Sequence, residues 1–368
     1  MSTKSLEITT SEGQQYPVHI SDQWDPQILT AALQPWQKRK IFIFSQENLW
    51  EVATRPILQA MGISAEQCTI LNLGQGEQAK HIRNLEAHYD AMIRAGVDRH
   101  SLVLAIGGGV VGDYAGFVAA TMLRGIAFMQ FPSTLLAAVD SSVGGKVAVN
   151  AGLGKNMIGN FYQPHLVYCN TSAFAGLPDR EWNCGLAEMA KHALLAPNGS
   201  MLESLLEHSQ QLRVAGSPVL QDAILQSVAF KASVVAADVR ERGQRAILNL
   251  GHTTAHALES LTQYRRYSHG EAVSRGLVTA LLLSRQSKGL PAHRFEAALA
   301  LLEGMQLPLS TDGFMADDVL QHMVYDKKNS DGQYHFVLLD EHGRAVYGCP
   351  VTAAEFRTAW AGQVALFG

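Results

Sequence analysis

The first half of the chain sets short, uninterrupted apolar runs between segments of helical length, and this alternation constrains the fold more than any other feature. RKIFIFS, CTILNL and SLVLAIG are each bounded by polar or glycine residues, as strands buried on both faces of a sheet tend to be. Between them lie stretches such as EQAKHIRNLEAHYDAMIRAG, with apolar residues at helical spacing. Such alternation predicts a parallel sheet covered by helices. Ahead of it, SLEITT and YPVHIS flank a polar turn and predict a hairpin.

From Pro178 onward the pattern changes to long helical segments: DREWNCGLAEMAKHALL, SPVLQDAILQSVAFKASVVAADV, HGEAVSRGLVTALLLSRQ and PAHRFEAALALLEGM. A strand-like pair, YHFVLLD and RAVYG, interrupts them near the end. The expected organisation is an α/β domain over residues 1–177 and a mainly α-helical domain over 178–368. Clefts between two such domains commonly hold small-molecule sites.

Composition narrows the function classes. An apolar fraction of 47% with 17% charged residues supports a real core, and a net charge of -4 argues against a general nucleic-acid binder. No apolar run is read as long enough to span a bilayer, which takes roughly 20 residues, so no membrane partner is expected. The polar start MSTKSLEITT lacks the apolar core of a signal peptide. Cys68, Cys169, Cys184 and Cys349 are widely separated, a pattern of reduced thiols that fits a cytoplasmic location.

Three local patterns carry chemistry. The first is the run from SLVLAI into GGGVVGD and a helix-like AGFVAATML, in which Gly107, Gly109 and Gly112 satisfy G-x-G-x-x-G. Glycines there let the backbone turn tightly and approach a pyrophosphate at a helix N-terminus. The acidic residue expected roughly 20 positions later for a ribose is missing; position 132 is proline, and the nearest downstream carboxylate is Asp140.

The second is RGIAFMQFPSTLLAAVDSSVGGKVAVNAGLGKNMIGNF, where Lys146 and Lys155 each stand beside a glycine turn within apolar sequence. Lysine presents a flexible point charge suited to phosphate or carboxylate. The third is a set of polar residues in apolar helical contexts: Glu188 in GLAEMAKH, His252 in NLGHTTAH and His269 in YSHGEAV. Two imidazoles and a carboxylate with an open position suit catalytic zinc. On one continuous helix His252 and His269 would stand roughly 25 Å apart, so TQYRRYS must reverse the chain if they share an ion. Spacing leaves the ligand set open, because Glu188 with His192, and His252 with His256, also lie four apart on one helical face.

GGGVVGD, RGIAFMQFPSTLLAAVDSSVGGKVAVN, GKNMIGNFYQP, GLAEMAKH, RAILNLGHTTAHALE, HGEAV and DKK occur together and in order, from about Gly76 to Lys328. In this the chain resembles the 3-dehydroquinate synthases of the sugar-phosphate cyclase superfamily. The resemblance implies an N-terminal α/β NAD-binding domain and a helical C-terminal metal-binding domain, assembled as a homodimer. It implies conversion of 3-deoxy-D-arabino-heptulosonate 7-phosphate, a sugar-acid phosphate, to 3-dehydroquinate and phosphate, the second step of the shikimate pathway. It implies Glu188, His252 and His269 as ligands of Zn2+ or Co2+. NAD contacts carried over by motif are Glu77, Lys80, Gly109, Val110, Val111, Gly112, Asp113, Ser133, Thr134, Asp140, Lys146 and Lys155. Substrate and catalytic contacts carried over are Arg124, Lys146, Asn156, Lys191, Lys231, Arg245, Asn249, His256 and Lys327, or its neighbour Lys328.

Departures from the family pattern are small: Thr254-Ala255 stands for a common Phe-Gly, Ser133-Thr134 for a threonine pair, and Gln46 for an Asp that some members use on the adenosine ribose. Other cyclases of the superfamily tend to change residues that read the substrate carboxylate, and Arg245, Asn249, His256 and the DKK lysines remain here. VDSSVGGK and GKN speak against a glycerol dehydrogenase-like oxidoreductase. Intact Glu188, Lys146 and His252 speak against an inactive binding protein.

Overall fold

The computed structural model describes residues 3–241, 243–323 and 333–368. In the first of two compact units, Lys4–Thr9 (β1) and Gln15–Ser21 (β2) form the expected antiparallel hairpin. They continue into a sheet with Ile41–Ser45 (β3), Cys68–Asn72 (β4), Leu102–Gly107 (β5), Ala127–Pro132 (β6) and, beyond the hairpin Lys146–Ala151 (β7) and Gly154–Phe161 (β8), Leu166–Asn170 (β9). The order is β1-β2-β9-β6-β5-β3-β4, parallel except for β1.

Burial explains why these strands carry no polar alternation. Phe42, Phe44, Val103 and Ala105 point into one core with the helix Gly109–Thr121. Ile41, Ile43, Leu102, Leu104 and Ile106 point into another, beneath the helices Pro26–Leu33 and Arg55–Met61. A strand covered on both faces must be apolar at every position.

The helix read over EQAKHIRNLEAHYDAMIRAG is shorter than expected. Glu77–Lys80 and Ile82–Asn84 are 3-10 turns, and the α-helix spans only Leu85–Arg94. The break falls at His81, whose extended backbone bridges to Asn150 of β7.

The second unit is helical, with Asp179–Leu195, His252–Leu261, His269–Lys288, Ala292–Gly304 and Ala353–Phe367 among its helices, and a hairpin of Tyr334–Leu339 (β10) with Ala345–Val351 (β11). The units differ from the two contiguous segments expected. The first holds residues 1–177 and 214–240, the second 178–213 and 241–368. The cause is the helix Pro218–Ala237, which packs on β1, β2 and the turn Ala137–Ser141. The reading that no segment reaches membrane-spanning length is also corrected: this helix is long and apolar enough by length and composition, and half of it is buried within the protein.

Candidate functional site

Glu188 lies mid-helix in Asp179–Leu195, in a stretch where Leu186 through Leu195 are all buried. A carboxylate there needs compensation for lost hydration. The Lys191 ammonium, equally buried, contacts Glu188 Oε2, yet neither Glu188 oxygen receives a hydrogen bond of normal geometry. Oε1 instead faces two imidazoles, His252 Nε2 at 3.6 Å and His269 Nε2 at 3.4 Å. One ligand atom from each of the three residues lies within 4.8 Å of the others.

The opposite side of each imidazole is held as well. His252 Nδ1 is 3.1 Å from Leu250 O, and His269 Nδ1 is 3.2 Å from Glu259 Oε1. An acceptor opposite Nδ1 keeps a proton there and aims the Nε2 lone pair at the cluster, as metal-ligating histidines require. Glu259 was not singled out in the sequence, although its i+7 spacing from His252 puts both on one helical face.

Two glycines let the backbones approach closely enough to assemble the set. A Cβ at Gly270 would lie 2.2 Å from Cys184 Cα, and one at Gly276 only 2.0 Å from Gly251 O. The helix His269–Lys288 therefore rests directly on the helix bearing Glu188 and on the turn that precedes His252. His269 opens that helix, beyond the loop that follows Leu261. Its start is fixed by Glu271, which accepts from Ser268 N–H at 2.8 Å and is clamped by Arg180. Tyr267 donates to Asp312 at 2.6 Å, with the Arg275 guanidinium 4.4 Å from the centre of its ring.

Electrostatics prepares the set for a cation. Burial alone would raise the Glu188 carboxyl, but the Lys191 charge and then the two histidines hold it well below the usual carboxylate range. Burial and Lys191 together keep His252 neutral. At His269 burial is outweighed by the Glu188 and Glu259 carboxylates that face its two ring nitrogens, which push it up to about 10. Without a metal the second proton sits on Nε2, facing Glu188, and a metal ion bound there would take that proton's place. Two imidazoles and an ionised carboxylate within 4.8 Å of one another could hold a metal ion, and they are donor types that zinc uses.

Around this cluster in the same unit, His256 is exposed one turn beyond His252, their ring centroids 5.6 Å apart. Arg245 is buried on the 3-10 turn Gln244–Asn249, and Asn249 closes that turn half-buried. Lys327 and Lys328 lie outside the described residues.

In the first unit, the loops that follow β3, β4, β5 and β6 leave from the carboxyl ends of the parallel strands, where open α/β sheets bind ligands. Gln46 follows β3 and donates to Gly74 O at 2.9 Å. Glu77 and Lys80 follow β4. Beyond β5, Gly109, Val110, Val111, Gly112 and Asp113 form the first turn of a helix that has no side-chain cap. Close packing accounts for two of the glycines: a Cβ at Gly107 would meet Val111 Cγ2 at 2.5 Å, and one at Gly112 would meet Gln130 Oε1 at 3.0 Å. Ser133 N–H donates to Gly107 O at 3.0 Å, and Thr134 Oγ1 accepts from Ala137 N–H at 3.2 Å.

Two buried lysines are paired within this unit. Lys80 Nζ donates to Asp113 and to Asn156 Oδ1, the latter at 2.5 Å. Burial pushes the Asp113 carboxyl up, against the pull of Lys80. Lys231, carried by the returning helix, donates to Asp140 O at 2.6 Å and Oδ1 at 2.5 Å. Lys146 and Lys155 are exposed on the β7–β8 hairpin. Arg124 is exposed on a loop where Leu123 and Arg124 both adopt left-handed φ, 51° and 70°. Asn150, also passed over in the sequence, joins Glu77 to Asn156.

The chain thus holds a parallel α/β unit with a glycine turn and a helical unit in which a buried carboxylate meets two half-buried imidazoles. A 2-deoxy-scyllo-inosose synthase solved with carbaglucose-6-phosphate, NAD+ and Co2+ superposes with a TM-score of 0.83 at 24% identity, covering 98% of this chain and 99% of that one. A 2-epi-5-epi-valiolone synthase from Streptomyces hygroscopicus subsp. jinggangensis, solved with NAD+ and Zn2+, gives 0.82 at 23%, over 95% and 97%. A probable glycerol dehydrogenase from Sinorhizobium meliloti gives 0.64 at 15%, over 94% and 96%. At these identities the likeness is one of fold.

Sequence relatives are more specific. Models of the 3-dehydroquinate synthase N-terminal and C-terminal regions match residues 70–184 and 185–329. The 3-dehydroquinate synthase of Leptospira interrogans serogroup Icterohaemorrhagiae is 46% identical over 86% of both chains. That of Acinetobacter baylyi is 41% identical over 90% of this chain and 91% of its own. The chain belongs to the 3-dehydroquinate synthase family.

Proposed function

We propose that the chain is a carbon–oxygen lyase that converts 3-deoxy-D-arabino-heptulosonate 7-phosphate to 3-dehydroquinate and phosphate, acting as a homodimer in the cytoplasm. NAD and Zn2+ or Co2+ are its cofactors, and no net NADH is formed. The observation that carries this is the Glu188–His252–His269 set, with acceptors fixing both Nδ1 atoms, in a chain of this family. The solved relatives with NAD+ and Co2+ or Zn2+ support the choice of cofactors.

Glu188, His252 and His269 would hold the metal, and the turn Gly109–Asp113 with Glu77, Lys80, Ser133, Thr134, Asp140, Lys146 and Lys155 would hold NAD. Bound there, the metal supplies polarisation of the substrate hydroxyls and NAD a reversible hydride acceptor, which together acidify the C–H next to the leaving phosphate. The protein's own task is to bind and orient a substrate with a carboxylate and a phosphate. Arg124, Lys146, Asn156, Lys191, Lys231, Arg245, Asn249 and a lysine of DKK are the groups for that charge. The exposed His256 imidazole takes and returns protons at its ring nitrogen as the ring opens and recloses.

The test is a phosphate-release assay with and without a chelator. Release that is lost on chelation and restored by Zn2+ or Co2+, with no NADH absorbance, is expected. Accumulating NADH would assign a dehydrogenase instead, and no turnover with both cofactors supplied would sink the proposal.

A further inference from the structure

Asn150 is a buried amide whose hydrogen bonds form a closed circuit. Its Nδ2 donates to Glu77 Oε1 at 2.8 Å and to Glu77 O at 3.3 Å, and its Oδ1 accepts from Asn156 N–H at 2.9 Å. Asn156 in turn accepts from Lys80, at the other end of the turn Glu77–Lys80 that Glu77 begins. The backbone of Asn150 also bridges to His81, immediately after that turn. Both polar ends of the amide are used, and only one orientation of it satisfies all these partners.

Asn156 needs this support. Its φ is 56°, in the left-handed region that costs an L-residue energy unless neighbours hold it there. Its side chain is exposed within the β7–β8 hairpin, where local packing cannot fix it. Two bonds do so instead: its Oδ1 accepts from Lys80, and its backbone N–H, the group set by φ, donates to Asn150 Oδ1.

We infer that Asn150 is a positioning residue that holds Asn156 in its left-handed conformation and ties it to Glu77. This rests on the proposal that Glu77 and Lys80 contact NAD while Asn156 contacts the substrate. Asn150 then orders one group for each ligand through the two ends of a single amide. Ordering either partner lowers the cost of ordering the other.

Two variants separate the ends. Asn150→Ala removes both bonds and is expected to raise the NAD Kd and the substrate KM about tenfold each, the effect of losing a buried hydrogen bond. Asn150→Asp keeps the acceptor for Asn156 N–H but turns an oxygen toward the Glu77 carboxylate. It is expected to weaken NAD about tenfold or more, while KM at saturating NAD stays near the wild-type value. Titration with NAD and steady-state phosphate release give the constants. Equal effects of both variants on both constants, or no effect of either, would overturn the inference. Should the alanine variant fail to fold, the aspartate variant decides by itself: unchanged NAD affinity overturns the inference. Wild-type protein that binds no NAD would instead remove the functional proposal on which this rests.

Discussion

The two units build their polar clusters in different ways. In the helical unit Glu188, Lys191 and Arg245 are almost wholly removed from solvent, and glycine contacts between backbones set the spacing of Glu188, His252 and His269. In the sheet unit Lys80 and Lys231 are buried and paired, but Lys146, Lys155 and Asn156 on the β7–β8 hairpin and Arg124 on a loop are exposed. A buried cluster gains precision and tolerates little change. An exposed loop gains reach, and depends on a few bonds such as those of Asn150 to hold its shape.

Substitutions should divide along this line. The largest effect is expected in the helical unit: Glu188→Ala should remove bound metal and lower activity by about 10³-fold or more while the protein stays folded. Gly276→Ala should also lose metal, but through backbone displacement, with about 3 kcal/mol of stability lost. Metal analysis with thermal melts distinguishes the two. Full metal content in the Glu188 variant would remove it from the ligand set.

Next comes the exposed hairpin. Lys146→Ala should lower kcat/KM by about 10²-fold and shift the melting temperature little, since the residue is exposed. A matching loss of stability would mean that the hairpin is built like the helical cluster after all. Glu259→Gln sharpens the contrast from the other side. It keeps an oxygen near His269 and loses the charge, so metal affinity measured by chelator competition should fall about 10- to 100-fold. Unchanged affinity would show that Glu259 does not orient His269.

The smallest effect concerns the support beneath His269. At Asp312 burial alone would raise the carboxyl, but the Tyr267 hydrogen bond and the Arg275 charge outweigh it and hold it below the ordinary value of 3.8. A carboxyl depressed in the folded state stabilises above its unfolded pKa, and that stability is lost as pH falls through the folded value. Asp312→Asn should therefore cost about 1 kcal/mol near neutral pH and flatten the acid limb of a melting curve taken below pH 4. An unchanged acid limb would show that this contact carries no pH-dependent stability.

The same contrast explains what the sequence made legible. Strands β3, β4 and β5 could be read because burial on both faces leaves an unbroken apolar run. Strand β8 could not, since Lys155 to Phe161 are exposed and carry no alternation. The metal-type set was narrowed to candidates by residue type. Selecting His269 over His256 or His192 took the family resemblance, because the contact that brings it in runs through Gly270 and Cys184, far apart in sequence. Asn150 left no mark, as an asparagine in a short strand looks like any polar residue. Pro218–Ala237 was correctly read as a helix, but nothing in it says which unit it joins, and with it goes Lys231.

That helix sets an order of events during synthesis. The sheet is complete in sequence at Asn170, yet β1 and β2 lack their cover until Ala237 has been made, with residues 178–213 emerging in between. A nascent chain or proteolytic fragment ending at Leu177 would expose the surface meant for this helix and leave Asp140 without Lys231. The first unit should therefore mature late on the ribosome, after part of the second has already appeared.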